Sequence, residues 1–215
     1  MAHAQKIQFE QPKEFKFSPE NMKLVEQHIA KYPLGRQASA VMALLDIAQK
    51  QHDGWIPEVA MEEIGRILDM PRIKVFEVAT FYTMYNLVPK GKHHLQFCTT
   101  TPCWLRGSAD VVRACEKHLG VKLGETTPDG VFSLSEVECL GACVNAPVIQ
   151  RNGDDFYEDL TPENVISVLD GLRTGKTVQV GSQSGRVKSL GEKGATCLHD
   201  VAKKTGNKVA GEGNK

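Results

Sequence analysis

Apolar residues recur at helical spacing along the first third of the chain, and the residues around them mark four helices. Ser18-Pro19-Glu20 is a start signal: a capping hydroxyl, proline at the first helical position and an acid in the first turn. Met22, Val25 and Ile29 follow until Tyr32-Pro33 stops the run. From Gln37 to Gln51 a second helix puts Val41, Leu44, Leu45 and Ala48 on one face, and His52-Asp53-Gly54 closes it. A third starts near Pro57 and carries Met61, Ile64, Ile67 and Leu68; Met70-Pro71 ends it and opens a fourth, reaching to about Tyr85. In that fourth helix Phe76, Val78, Ala79, Phe81, Tyr82, Met84 and Tyr85 occupy most of the circumference. A helix apolar all round is covered on both sides. The cover is its own bundle or, since aromatics and Met are enriched in interface cores, a partner protein.

Past Pro89-Lys90-Gly91-Lys92, which reads as a hinge, the pattern changes to short strands. His93 to Phe97 ends at Cys98, and Val131 to Val137 leads to Cys139. Val148 to Gln150 and Phe156-Tyr157 flank Arg151-Asn152-Gly153-Asp154, whose Asn-Gly is a hairpin turn signal. One helix spans Gly107 to Leu119, with Ser108 as cap and Gly120 as stop. Another is capped by Thr161-Pro162-Glu163 and ends near Gly171. The expected class is α+β. Residues 1–17 are a mobile or docking arm, 18–88 a helical bundle and docking region, and 89–175 a domain of order β-α-β-β-β-α. Residues 176–215 hold no aromatic side chain and many lysines and glycines, and read as a flexible basic tail.

Charge and cysteine usage narrow the function classes. The 215 residues balance to zero, but 176–215 carry eight Lys/Arg against three Asp/Glu, and 1–175 carry eighteen against twenty-three. A weakly acidic body does not fit nucleic-acid binding. No run approaches the ~20 apolar residues of a membrane helix, so no direct membrane insertion is expected. The polar start Met1-Ala2-His3-Ala4-Gln5-Lys6 has neither signal-peptide nor transit-peptide character. Six cysteines in such a chain point to a reducing compartment, a bacterial cytoplasm, rather than to disulfides.

Four of those cysteines carry the chemistry. Cys98 and Cys103 bracket Thr99-Thr100-Thr101-Pro102; after a further 35 residues, Cys139 and Cys143 bracket Leu140-Gly141-Ala142. Thiolates on two short loops are soft ligands, and four suit one zinc ion or one small iron–sulfur cluster. Zinc knuckles are usually tighter and often mixed with histidine. A [2Fe–2S] rhomb takes two cysteines on each iron and needs donors around its sulfides, which Thr99, Thr100 and Thr101 bring. Spacing therefore favours iron–sulfur, with zinc left open. No nucleophile–base pair, carboxylate dyad or Gly-rich nucleotide loop appears, so no catalytic residue is assigned.

These same residues carry a resemblance. CTTTPC followed by WLRG, then ECLGACVNAP and FYEDLTPE, with RQASAVMALLDIAQ and VATFYTMY upstream, resemble the 24-kDa-type [2Fe–2S] subunit family of respiratory complex I over about residues 18 to 175. The resemblance implies a thioredoxin-like α/β ferredoxin domain after the bundle, both cysteine loops at one end of its sheet. It implies one [2Fe–2S] cluster on Cys98, Cys103, Cys139 and Cys143, and electron transfer within an NADH:quinone oxidoreductase peripheral to the inner membrane. FMN and NADH then belong to a flavin-binding partner subunit, with further iron–sulfur subunits beyond it. The same module occurs in NAD-linked hydrogenases and formate dehydrogenases. A free-standing thioredoxin-like ferredoxin and a zinc-bound interaction module are the other readings.

Cys115 falls on a helix near Val111 and Val112 and reads as a buried thiol, while Cys197 lies in the tail with nothing to fix it. His93 and His94 approach Cys98, but four well-spaced cysteines make a mixed His/Cys site unnecessary. Trp104 and Arg106 follow Cys103 closely enough to shield or tune a cluster, with packing and solvation as the plain alternatives. A proline at this point recurs in thioredoxin-like folds, where a cis bond is the alternative at Ala146-Pro147, but the trans default is the expectation.

Overall fold

The computed structural model describes residues 9–186, 194–204 and 206. The chain divides into two compact units, Met1–Lys92 with Pro128–Ser133, and His93–Thr127 with Leu134–Lys215.

The first unit is built on α1 (Pro19–Ile29), α2 (Val41–Gln51), α3 (Glu58–Leu68) and α4 (Arg72–Phe81). Ser18 caps α1 as its sequence signals, its hydroxyl accepting from the Asn21 N–H at 3.2 Å. Val25, Leu44, Leu45, Ile64 and Val75 meet in one core, with Ala40, Ala48, Ala60 and Ala79 where helices approach closely. Burial at ~1.5–3 kcal/mol per large aliphatic side chain makes this core the unit's main source of stability.

The arm, read as mobile or docking, is packed over its described part: Phe15 and Phe17 pack against the helical core, Phe9 stacks edge-on against Trp55, and the Gln11 amide oxygen accepts from the Glu58 N–H. Three other expectations change. Gln37–Ala40 is a 3-10 turn leading into α2 rather than its first α-turn. Helix α4 stops at Phe81, because tertiary hydrogen bonds replace its next turn. The Tyr85 hydroxyl donates to Met42 O at 2.9 Å, and the Asn86 N–H donates to the Gln49 side chain at 2.6 Å. Tyr85 is thereby buried, while Ile73, Phe81 and Met84 remain exposed. The expected hinge is also tightly packed at Gly91. Its N–H donates to Ser133 Oγ at 2.7 Å, and a Cβ there would lie 2.8 Å from the Phe132 carbonyl carbon.

The second unit contains β1 (His93–Cys98), α5 (Thr101–Leu105), α6 (Ser108–Leu119), most of β2 (Phe132–Val137), β3 (Ile149–Arg151), β4 (Asp155–Glu158), α7 (Pro162–Arg173), β5 (Gly181–Ser182) and α8 (His199–Lys204). Sheet order is β2-β1-β3-β4-β5. β1 and β3 are antiparallel, with Phe97 opposite Ile149, and β3 and β4 form the expected hairpin. Three residues, Asn152 to Asp154, connect Arg151 to Asp155, and Asn152 and Gly153 both have positive φ, 54° and 82°, which these two residue types adopt most readily. Helices α6 and α7 pack on each other and bury Val111, Cys115, Val165 and Leu169. Thr161 and Asn164 form a reciprocal capping box on α7, which runs past Gly171 to Arg173.

Ser108 is not the cap of α6. Gly107 takes that place at φ +90°, letting the chain reverse directly out of α5, and Ser108 is buried as the first helical residue. Nor does the expected tail begin as loose chain. β5 pairs parallel with β4, Tyr157 opposite Gly181, and Arg186 bonds back to the turn after Cys143. Residues 187–193, 205 and 207–215 of that tail lie outside the described residues, as do 1–8 of the arm.

Candidate iron–sulfur centre

All four loop cysteines gather at one end of the sheet. Cys98 is the last residue of β1, and its N–H donates to Val148 O at 3.2 Å, so the antiparallel partner fixes it. Cys103 sits inside α5, a single turn that the sequence pattern does not mark; Pro102 near its start and the Trp104 N–H to Thr100 O bond at 2.9 Å hold it. Cys139 follows β2, and Cys143 opens a 3-10 turn, Cys143–Asn145, leading to the Ala146-Pro147 bond, cis rather than the expected trans, and β3. Between them Gly141 adopts φ +75°, where a side chain would be strained, and its N–H points at Cys139 Sγ at 3.4 Å.

The thiols form two pairs. Cys139 Sγ and Cys143 Sγ are 3.7 Å apart, and Cys98 and Cys103 share a hydrogen bond. The pairs also sense each other: the Cys98 charge acts on Cys143, and the Cys143 charge on Cys103. Cys98 and Cys103 are buried among Ala146 and Val148, with Leu140, Ala142 and Phe156 at the margin, whereas Cys139 and Cys143 are exposed. Among the described residues, no three His, Cys, Asp or Glu side chains stand where one metal ion could take them all.

The acidities follow from these surroundings. Burial pushes the Cys98 thiol up, but the Thr100 hydroxyl, the Leu140 and Thr100 N–H groups and the Cys103 thiol outweigh it, so its pKa is lowered. Cys103 is pushed up to about 12 by burial first, then by its bond to Cys98. Cys143 is raised chiefly by its bond to Cys139. Of these three, Cys98 is the thiol whose surroundings favour the deprotonated, ligating form. Two pairs of thiols with N–H and O–H donors around them are the ligand pattern of a [2Fe–2S] rhomb, two cysteines to each iron. Four thiols closing one tetrahedron, as structural zinc requires, are a different arrangement.

Of the three threonine hydroxyls, that of Thr100 lies beside a site sulfur, its Oγ1 3.2 Å from Cys98 Sγ. Thr99 donates instead to Glu136 and ties the first loop to β2; Thr101 starts α5 and is exposed. Cys115 is fully buried on α6, as expected, and burial pushes its thiol up to about 12. Cys197 is exposed. The His94 ring nitrogen lies 2.7 Å from Ser135 Oγ, which accounts for that histidine without a metal. Trp104 and Leu105, which follow Cys103 in its backbone turn, and Val144, next to Cys143, are 62%, 70% and 62% exposed, so an apolar side chain stands open beside one cysteine of each pair. Arg106 is exposed as well.

Sequence reasoning missed Asn145. It is buried, its amide donates to Glu158 at 2.6 Å, and its carbonyl accepts from the Asp159 N–H at 2.7 Å, joining the second cysteine turn to the end of β4. Its place between a cysteine and Ala-Pro is the one signal that points to it.

The family model for thioredoxin-like [2Fe–2S] ferredoxins matches residues 25–173. The chain is 55% identical over 159 residues to an NADH-quinone oxidoreductase subunit of Rickettsia bellii (strain RML369-C), covering 74% of this chain and 95% of that protein. It is 48% identical over 184 residues to the mitochondrial NADH dehydrogenase [ubiquinone] flavoprotein 2 of Dictyostelium discoideum, covering 86% and 74% respectively. Among solved structures, an air-oxidised NAD+-reducing [NiFe]-hydrogenase superposes with a TM-score of 0.54 at 18% identity, over 61% of this chain and 23% of that one. At that identity the likeness speaks to fold alone.

Proposed function

Because the chain belongs to the thioredoxin-like [2Fe–2S] ferredoxin family, we propose that it is the electron-transfer subunit of an NADH–quinone oxidoreductase. The observation that carries this reading is the convergence of four thiols, as two pairs, at one end of the sheet. Cys98, Cys103, Cys139 and Cys143 would hold one [2Fe–2S] cluster, which supplies one-electron exchange when bound. The protein's part is to place and insulate. The buried pair excludes water on one side, Thr100 and the Leu140 N–H donate toward Cys98, and the exposed apolar side chains of Trp104, Leu105 and Val144 offer a dry contact face.

The partner on that reading is a subunit that binds FMN and NADH, with further iron–sulfur subunits in the same complex. The complex would lie on the cytoplasmic side of a bacterial inner membrane. Among the described residues no helix is long and apolar enough to cross a membrane. Residues 18–88 would serve as the docking region and 89–175 as the cluster domain, with Ile73, Phe81 and Met84 as the exposed apolar contacts of the former. The sequence likeness to oxidoreductase subunits over nearly their whole length favours this host over a hydrogenase.

The test is stopped-flow reduction of the loaded full chain, alone and with its flavin-bearing partner. NADH should bleach the cluster absorbance only when the partner is present. Phe81→Ser with Met84→Ser should leave the cluster in place and weaken partner binding by more than about tenfold, given ~25 cal/mol per Å² of apolar contact. A bound partner with NADH that leaves the cluster oxidised would refute the electron-transfer role. Unchanged binding by the double variant would refute docking through that patch.

A further inference from the structure

The exposed cysteine turn is held from an unexpected direction. Val144 follows Cys143 directly, and its carbonyl accepts from Arg186 Nη2 at 2.6 Å. The same guanidinium reaches the Asn145 amide oxygen, and its Nε lies 3.3 Å from Asp159 Oδ2. Asp159 in turn accepts from Ser182 Oγ at 2.6 Å and Ser184 Oγ at 3.3 Å, and the Arg186 N–H donates to Ser182 Oγ at 3.1 Å. The arrival of Arg186 is therefore fixed by β5, which is paired to β4.

We propose that Arg186 is a positioning residue that clamps the Cys143–Asn145 turn from the C-terminal segment and brings a positive charge to the backbone next to Cys143. The clamp is needed because this turn begins at Cys143, in the exposed half of the site. A 3-10 turn of three residues supplies little hydrogen bonding of its own. The ion pair with Asp159 contributes little, since the arginine side chain is 47% exposed. The bonds to a backbone carbonyl and to the buried Asn145 amide matter more, because losing them leaves the Asn145 oxygen without this donor. A guanidinium spans several acceptors with its planar fork, which a lysine ammonium cannot reproduce. Its positive charge favours the more negative, reduced form of a cluster on Cys143. That second effect rests on the ligand assignment made above; the clamp does not.

The full chain is compared with Arg186→Ala, Arg186→Lys and the control Lys176→Ala. Amide exchange of Asn145 and Ala146 in the cluster-free chain should quicken about tenfold or more in Arg186→Ala, with the Cys115 amide on α6 unchanged. In the loaded chain a chelator should remove iron faster by a similar factor, and the midpoint potential should fall. Arg186→Lys should recover much of the potential but not the slow exchange. Lys176→Ala should match the parent chain. Parent-like exchange at Asn145 and Ala146 in Arg186→Ala overturns the clamp, and full recovery of slow exchange by lysine overturns the role of the fork. If Arg186→Ala unfolds globally, Asp159→Asn replaces it and should quicken the same two amides while leaving Cys115 slow; no change there overturns the proposal. If the parent chain binds no iron while the exchange result holds, the ligand assignment fails and the clamp stands.

Discussion

The two cysteine pairs serve one site but are built in opposite ways. Cys98 and Cys103 are 2% and 1% exposed and are placed by the core: a strand end bonded to its neighbour, and a helical turn packed against Val148. Cys139 and Cys143 are exposed, and lie on a stretch shaped by a positive-φ glycine, a 3-10 turn, and the bonds that Arg186 makes to Val144 and Asn145. The difference teaches that burial and access are divided between the pairs. One side of the site is buried, and the other is exposed beside the apolar side chains of Trp104, Leu105 and Val144.

The sharpest way to break this comparison is to remove one ligand from each pair. Cys98→Ala and Cys139→Ala should each lose essentially all cluster iron, since both would be ligands on the proposed assignment. Their cluster-free stabilities should differ: Cys98→Ala costs up to ~1–2 kcal/mol in chemical denaturation from the cavity it leaves, and Cys139→Ala close to none. Cys115→Ser should keep its iron. Equal destabilisation by the two ligand variants would mean the pairs are not built differently.

A smaller effect concerns reactivity. In the cluster-free chain iodoacetamide should modify Cys139 and Cys143 at least about tenfold faster than Cys98 and Cys103, followed by mass spectrometry. Burial decides the order, even though Cys98 has the lowered pKa. Cys98 reacting as fast as Cys139 would show that the buried pair opens freely.

Much of this architecture was legible, and for a physical reason. Helical periodicity, Ser18 and Thr161 caps and the Asn152-Gly153 turn are local signals, and each element they mark is present. What escaped depends on contacts distant in sequence. Nothing within Phe81-Tyr82-Thr83 stops a helix; Gln49 and Met42, more than thirty residues earlier, do so by taking hydrogen bonds from Asn86 and Tyr85. Glycine and lysine content made residues after Lys176 look unable to order, yet β4 offers Gly181 and Ser182 a strand to pair with. At the site the cysteine spacing was readable, but which threonine serves a sulfur was not. Thr99 turns away because Glu136, on another strand, accepts from it.

Two further outcomes sharpen the buried side. Thr100→Val removes the hydroxyl 3.2 Å from Cys98 Sγ and should lower the midpoint potential of the loaded protein, because hydrogen bonds to ligand sulfur favour the reduced state. A potential equal to the parent's would mean the hydroxyl donates elsewhere. The smallest effect is a pH dependence away from the site. Cys115 ionises at its ordinary value of 9.0 when unfolded but near 12 when folded, so between these the unfolded chain binds fewer protons than the native one. Stability therefore falls as pH rises through that window, by about 1.4 kcal/mol per pH unit for this group. Cys115→Ala should make the denaturation profile flatter above pH ~9; an unchanged slope would show that the thiol is already ionised in the fold.

The most direct measurement of the central claim, that two unlike pairs hold one cluster, is the iron, zinc and acid-labile sulfide content of the purified full chain. It is read beside the electron paramagnetic resonance of its reduced form. The account predicts about two irons and two sulfides per chain, no stoichiometric zinc, and one reduced [2Fe–2S] signal. One zinc per chain without labile sulfide would contradict it.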